Sequence, residues 1–102
     1  MTNTQNIGAI IVKLMEEEQK LKEAYNKAED WNSACYERVL VWEQAYADSG
    51  EDEATGATLD EVYNEYSEAN DAMHEAEERV EAIAEALDVL RTAFDAIEWL
   101  GL

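Results

Sequence analysis

Apolar residues in the second half of the chain return every seven positions. Position a reads Leu59, Tyr66, Met73, Val80, Leu87 and Phe94, and position d reads Val62, Ala69, Ala76, Ile83, Leu90 and Ile97. All twelve are apolar or aromatic, which is the mark of a helix that presents one stripe to a neighbouring helix. The first half repeats the pattern, with Ile7, Leu14, Leu21, Ala28, Cys35 and Trp42 at d. Its a positions are Ile11, Glu18, Tyr25, Asn32, Val39 and Tyr46, so only Glu18 and Asn32 break the seam. Both are expected near solvent, where the two helices diverge.

Between the two patterns, residues 48–57 carry two glycines and three consecutive acids, with little to pack. They are expected to form an acidic loop. Thr58 and Glu61 then have the spacing of a capping box, in which each satisfies an orphan amide at a helix start. The expected fold is all-α: a long antiparallel helical hairpin, coiled-coil-like, forming one domain over residues 1–102. Its helices are predicted at about 5–47 and 59–100. Thr2, Asn3, Thr4 and Asn6 are all candidate caps for the first. The stretch Glu29 to Ser33 is its weakest, and a kink or break is expected there if anywhere.

Apolar residues also spill beyond the seam. Ile10, Val12 and Met15 near one end of the chain, and Val89, Ala93, Ala96 and Trp99 near the other, meet in a hairpin and are expected to form one apolar patch. A patch of this kind marks an interface. A homodimer pairing two hairpins into a four-helix bundle is the expected assembly.

Composition strengthens the helical reading and adds a second theme. The 102 residues include no proline and only four glycines, and proline is the strongest helix breaker. Twenty-five acids face seven basic residues, a formal charge of −18. Such a field repels nucleic acid and anionic membrane, and it attracts basic surfaces. From Asp48 to Glu85 there are fourteen acids and one basic residue, Arg79, while all four lysines lie between Lys13 and Lys27. Along the second helix, acids recur at three- or four-residue intervals, about 5–6 Å apart. That spacing is comparable to the phosphates of a nucleic-acid strand, which proteins grip with Lys and Arg.

The expected partner-binding residues are therefore Glu51, Asp52, Glu53, Glu61, Glu65, Glu68, Asp71, Glu75 and Glu78. Their expected partner is a protein with a basic, nucleic-acid-binding surface. Direct binding of nucleic acid or of a membrane is not expected. In size and composition the chain resembles small acidic helical proteins of bacteriophages that block host restriction or CRISPR machinery. The likeness is one of type, without a motif that carries over any single residue. It implies an inhibitor that acts as a DNA mimic. The alternative expectation is a homodimeric helical adaptor, assembly factor or chaperone for a basic partner.

Reactive chemistry is sparse. His74, the single histidine, follows Asp71 at the spacing used in di-iron bundles, but it falls at heptad b and is expected at the surface. Cys35, the single cysteine, falls at d, with no His–acid partner near it in the heptad map; it is expected to be a small core residue. The scattered glycines make no phosphate loop, and Glu51 to Glu53 lacks the alternating ligands and central glycine of an EF-hand. No catalytic residue, metal or cofactor is expected, and the protein is not expected to be an enzyme. Trp31, Tyr36, Trp42, Tyr46, Tyr63 and Tyr66 stand out, the last four gathered near the loop, and any exposed member beside the acids becomes an anchor for a partner. A lone cysteine and a start without basic residues suggest a cytoplasmic protein, in the host cell if phage-encoded.

Overall fold

A computed structural model describes residues 2–101. Helix α1 runs Asn3–Asp48 and helix α2 runs Glu53–Leu100, joined by residues 49–52. Together they make the antiparallel helical hairpin that the heptads specify, with no strand among the described residues. Every a and d position named above is buried or half-buried. The stretch from Glu29 to Ser33 is continuous helix. It contains neither proline nor glycine, and seam packing outweighs its modest propensities.

The helix ends show where local chemistry decided. Thr2 caps α1 reciprocally: the Gln5 amide donates to the Thr2 hydroxyl at 3.1 Å, and the Thr2 amide donates to Gln5 Oε1 at 2.9 Å. At the other end of α1, the Glu51 amide reaches back to the Tyr46 carbonyl at 3.0 Å, and the Gly50 amide to that of Ala47 at 3.3 Å. This is a Schellman closure. It holds Gly50 at φ 71°, where glycine alone is unstrained, and Glu51 follows at φ 65°.

The expected start of α2 at residue 59 is corrected to Glu53. Asp52 is the cap, accepting from the Thr55 amide at 3.1 Å and the Thr55 hydroxyl at 3.2 Å. Thr58 lies inside the helix instead, its hydroxyl donating to the Ala54 carbonyl at 3.2 Å. An aspartate satisfies amides of the first turn as well as a threonine does, and it adds a negative charge where the helix dipole favours one. Replacing Asp52 by alanine is expected to cost about 1 kcal/mol. A urea midpoint unchanged by Asp52→Ala would show that this cap contributes nothing.

The hairpin divides into two compact units: Tyr25–Glu75, which holds the loop, and Met1–Ala24 with Ala76–Leu102. In the loop unit, Cys35 and Val39 of α1 are buried, as are Leu59, Val62 and Ala69 of α2, with Ala69 wholly enclosed. Gly56 allows close approach there, since a Cβ would stand 3.0 Å from the Tyr46 ring. Among the described residues of the terminal unit, Leu87 is the buried hydrophobic one. Its seam neighbours Ile7, Leu14, Leu21, Val80, Ile83, Leu90 and Ile97 are only half-buried.

The two polar seam residues differ from expectation and from each other. Asn32 is not near solvent: its Nδ2 is buried without a hydrogen-bond partner. The helices do not diverge at this level, where Cys35 is buried and the Tyr36 and Tyr66 rings stand 5.9 Å apart. The Glu18 side chain is 22% exposed and lies 3.7 Å from the Lys22 ammonium. It reaches the rim of the seam, closer to what was expected of it.

Candidate functional site

With the seam defined, each hairpin flank can be read. At 3.6 residues per turn, position g is continued outward by c, and position e by b. In an antiparallel pair the g positions of both helices share one flank. Arg38 and Glu65, both at g, meet at 2.6 Å. Trp31, also at g, directs its indole N–H to the same carboxylate at 3.5 Å. On the opposite flank, Tyr63 and Glu43 both fall at e, and partial desolvation followed by the charges of Glu43 and Asp60 pushes the Tyr63 phenol up.

Glu65 is therefore not a solvated charge in an open row. Its hydrogen bond from Arg38 comes first, then that from Trp31, in holding its carboxyl below the ordinary 4.5, against some desolvation. The Cys35 thiol lies beside it as well, close enough to feel its charge. This acid partner was missed because the heptad map was read only at a and d. Burial, then the charge of Glu65, push that thiol up.

A depressed carboxyl contributes stability that is present above its unfolded value and lost as pH falls through the folded one. The stability lead of wild type over Glu65→Gln is thus expected at neutral pH, and it should shrink as pH drops below about 4.5. Urea titrations of both proteins between pH 3 and 7 check this. A lead that persists undiminished at the acid end would refute it.

The other expected acids separate into three groups. Glu61, Glu68 and Glu75 all fall at c of α2 on the Trp31 flank, with Asp71 beside them at f, and all four are exposed. Their unit, Tyr25–Glu75, holds fourteen acids against Lys27 and Arg38, a net −12 of the total −18. Arg38 is already paired within the unit. Glu51, Asp52 and Glu53 are exposed at the turn, but the Asp52 carboxylate is engaged as the cap. Glu78 is exposed and belongs to the other unit. Trp31, 40% exposed, is the aromatic residue on the acidic flank, and it is one of the six aromatic residues singled out as candidate anchors.

The expected self-association patch also resolves into parts. Ile10, Val89, Ala93 and Ala96 occupy g and c positions on one flank of the terminal unit, with Trp99 at the adjoining f position. Val12 and Met15 sit at b and e, on the opposite flank. All are exposed except Ala93, which is half-buried. One patch was expected, but the helical wheel divides its members between two faces.

His74 is exposed, at its expected b position. Among the described residues, no group of three His, Cys, Asp or Glu side chains is arranged to hold a metal ion. No helix is long and apolar enough to cross a membrane, again among the described residues. Compared with protein-family models, curated proteins and solved structures, the chain matches none.

Proposed function

We propose that this protein binds, through the acidic flank of Tyr25–Glu75, a protein whose basic groove normally holds nucleic acid, and that it blocks that groove. One observation carries the reading. Glu61, Glu68, Asp71 and Glu75 are exposed on neighbouring rows of one helix, in a unit of net −12 whose one arginine is already paired. Carboxylates on a helix need no induced order, so a basic groove meets a preformed line of charge. The exposed Trp31 on that flank supplies apolar area of the kind that dominates binding hot spots. The inhibitory, phage-type role suggested by size and composition is the biological form of this reading.

Affinity capture from the native host, followed by elution with duplex DNA, tests it. The expected result is a nucleic-acid-binding protein released by DNA and by added salt, because exposed charge pairs are screened. Captured proteins that ignore competing DNA would sink the proposal.

A further inference from the structure

The loop unit carries a second face, on the flank away from Trp31. Tyr36 and Tyr63 stand there at e and Leu40 at b, and they are 50%, 42% and 49% exposed. Helical spacing sets Leu40 one turn from Tyr36 on α1, and Tyr66 one turn from Tyr63 on α2. The Tyr36 and Tyr66 rings, 5.9 Å apart, join the two helices. The four side chains therefore make one continuous face, with exposed Ser33 and Ser67 one turn farther along each helix. Packing within the hairpin leaves roughly half of Tyr36, Leu40 and Tyr63 uncovered. Tyrosine suits such a face, because its ring offers rigid contact area and few torsions are frozen on binding.

The charges around this face have one sign. At the e and b positions of the unit stand Glu29, Glu43, Glu53 and Asp60, and no lysine or arginine. Lys27 falls at c and Arg38 at g, both on the other flank, and Arg38 is engaged with Glu65. Glu43 and Asp60 are near enough for their charges to act on the Tyr63 phenol, so carboxylates lie beside an open aromatic ring. We infer that this tyrosine face docks an arginine-bearing segment of a partner protein. A guanidinium stacks flat on an aromatic ring while its edge offers a fork of N–H donors to a carboxylate. The lysine ammonium is compact and strongly hydrated, and it matches the face less well. A purely apolar segment would desolvate Glu43 and Asp60 without return. Nucleic acid and anionic membrane are repelled by the same carboxylates.

The inference stands apart from the acidic-flank proposal. That reading uses carboxylates at c and f of α2, and it asks only for positive charge. This one uses rings at e, and it asks for arginine in particular. The difference between an arginine and a lysine ligand therefore separates the two.

Fluorescence anisotropy with labelled nona-arginine and nona-lysine peptides, titrated with the full chain at one salt concentration, tests it. Wild type should hold the arginine peptide at least about fivefold more tightly, the preference expected of two exposed cation–π contacts. Tyr36→Leu with Tyr63→Leu should bring the two affinities within about twofold, with helicity retained, since only the rings favour the guanidinium strongly. Tyr36→Phe with Tyr63→Phe keeps the rings and should keep the preference. Leu40→Lys avoids the packed rings altogether. It should reduce the preference, whereas Val41→Lys, the same charge change at c on the other flank, should weaken both peptides alike. Changing Glu61, Glu68 and Glu75 to Gln and Asp71 to Asn should also weaken both and leave their ratio. Equal affinities in wild type overturn the inference. So does a preference that survives both the tyrosine-to-leucine pair and Leu40→Lys, or one that is lost with Trp31→Leu instead.

Discussion

Neutralising four carboxylates, with Glu61, Glu68 and Glu75 changed to Gln and Asp71 to Asn, is expected to weaken binding to the basic partner by 100- to 1,000-fold. Helicity and the thermal midpoint should hold or rise. The estimate follows from Coulomb's law, since a pair of unit charges about 4 Å apart gains roughly 1 kcal/mol even at the dielectric of water. Four such pairs approach a thousandfold, and salt screening lowers the figure. Stability moves the other way because like charges at helical spacing repel, and the variant removes that repulsion. Glu65 is left out of the set deliberately. Its carboxylate is held by Arg38 at 2.6 Å, so losing it would perturb the hairpin as well as the charge. Binding retained at wild-type strength by the four-fold variant would place the interaction elsewhere, with the tyrosine face the first place to look.

The largest expected loss of stability comes from Leu87→Ala. Leu87 is 1% exposed and is the buried hydrophobic residue among those described in the terminal unit. Large-to-small changes at such sites cost about 2–5 kcal/mol, because the cavity left behind adds to the lost transfer energy. For a chain of this size, about 3 kcal/mol corresponds to a fall of more than roughly 10 °C in Tm. Val41→Ala is the control, since Val41 is 65% exposed and its loss should stay within about 0.5 kcal/mol. Thermal unfolding followed by circular dichroism measures both. Equal shifts for the two would mean that Leu87 is not the centre of its unit's packing.

Much of this hairpin was legible from spacing alone, because every a and d position that the heptads select is covered in the structure. The start of α2 was not legible. Asp48, Ser49, Asp52, Thr55 and Thr58 are all residues that favour caps or turns, and spacing cannot rank them. Asp52 prevails because the Schellman closure at Gly50 ends α1 just before it. The Arg38–Glu65 pair was hidden for a different reason. It joins g positions far apart in sequence, and such pairs emerge only once an antiparallel register is known. Reading e and g together would have exposed it, along with Tyr63 and Glu43. The same step would have divided the expected apolar patch between its two flanks. Asn32 shows the opposite failure: a polar seam residue reads as solvated, yet nothing local reveals whether the seam stays closed around it.

The four-residue turn also sets an order of events. Its hydrogen bonds, from Ser49 to the Tyr46 carbonyl and from the Asp52 amide to Ser49, join residues three apart in sequence. They form without closing a long loop, and each pairing farther from the turn closes a longer one at greater entropic cost. Contacts such as Gly8 with Phe94 join the two ends of the chain and are the last to be rewarded. The hairpin therefore zips from its turn outward. Phe94 must be synthesised and released before the terminal unit can close, and amide exchange with solvent should be slowest around Val39 and Val62 and fastest toward residues 3 and 100.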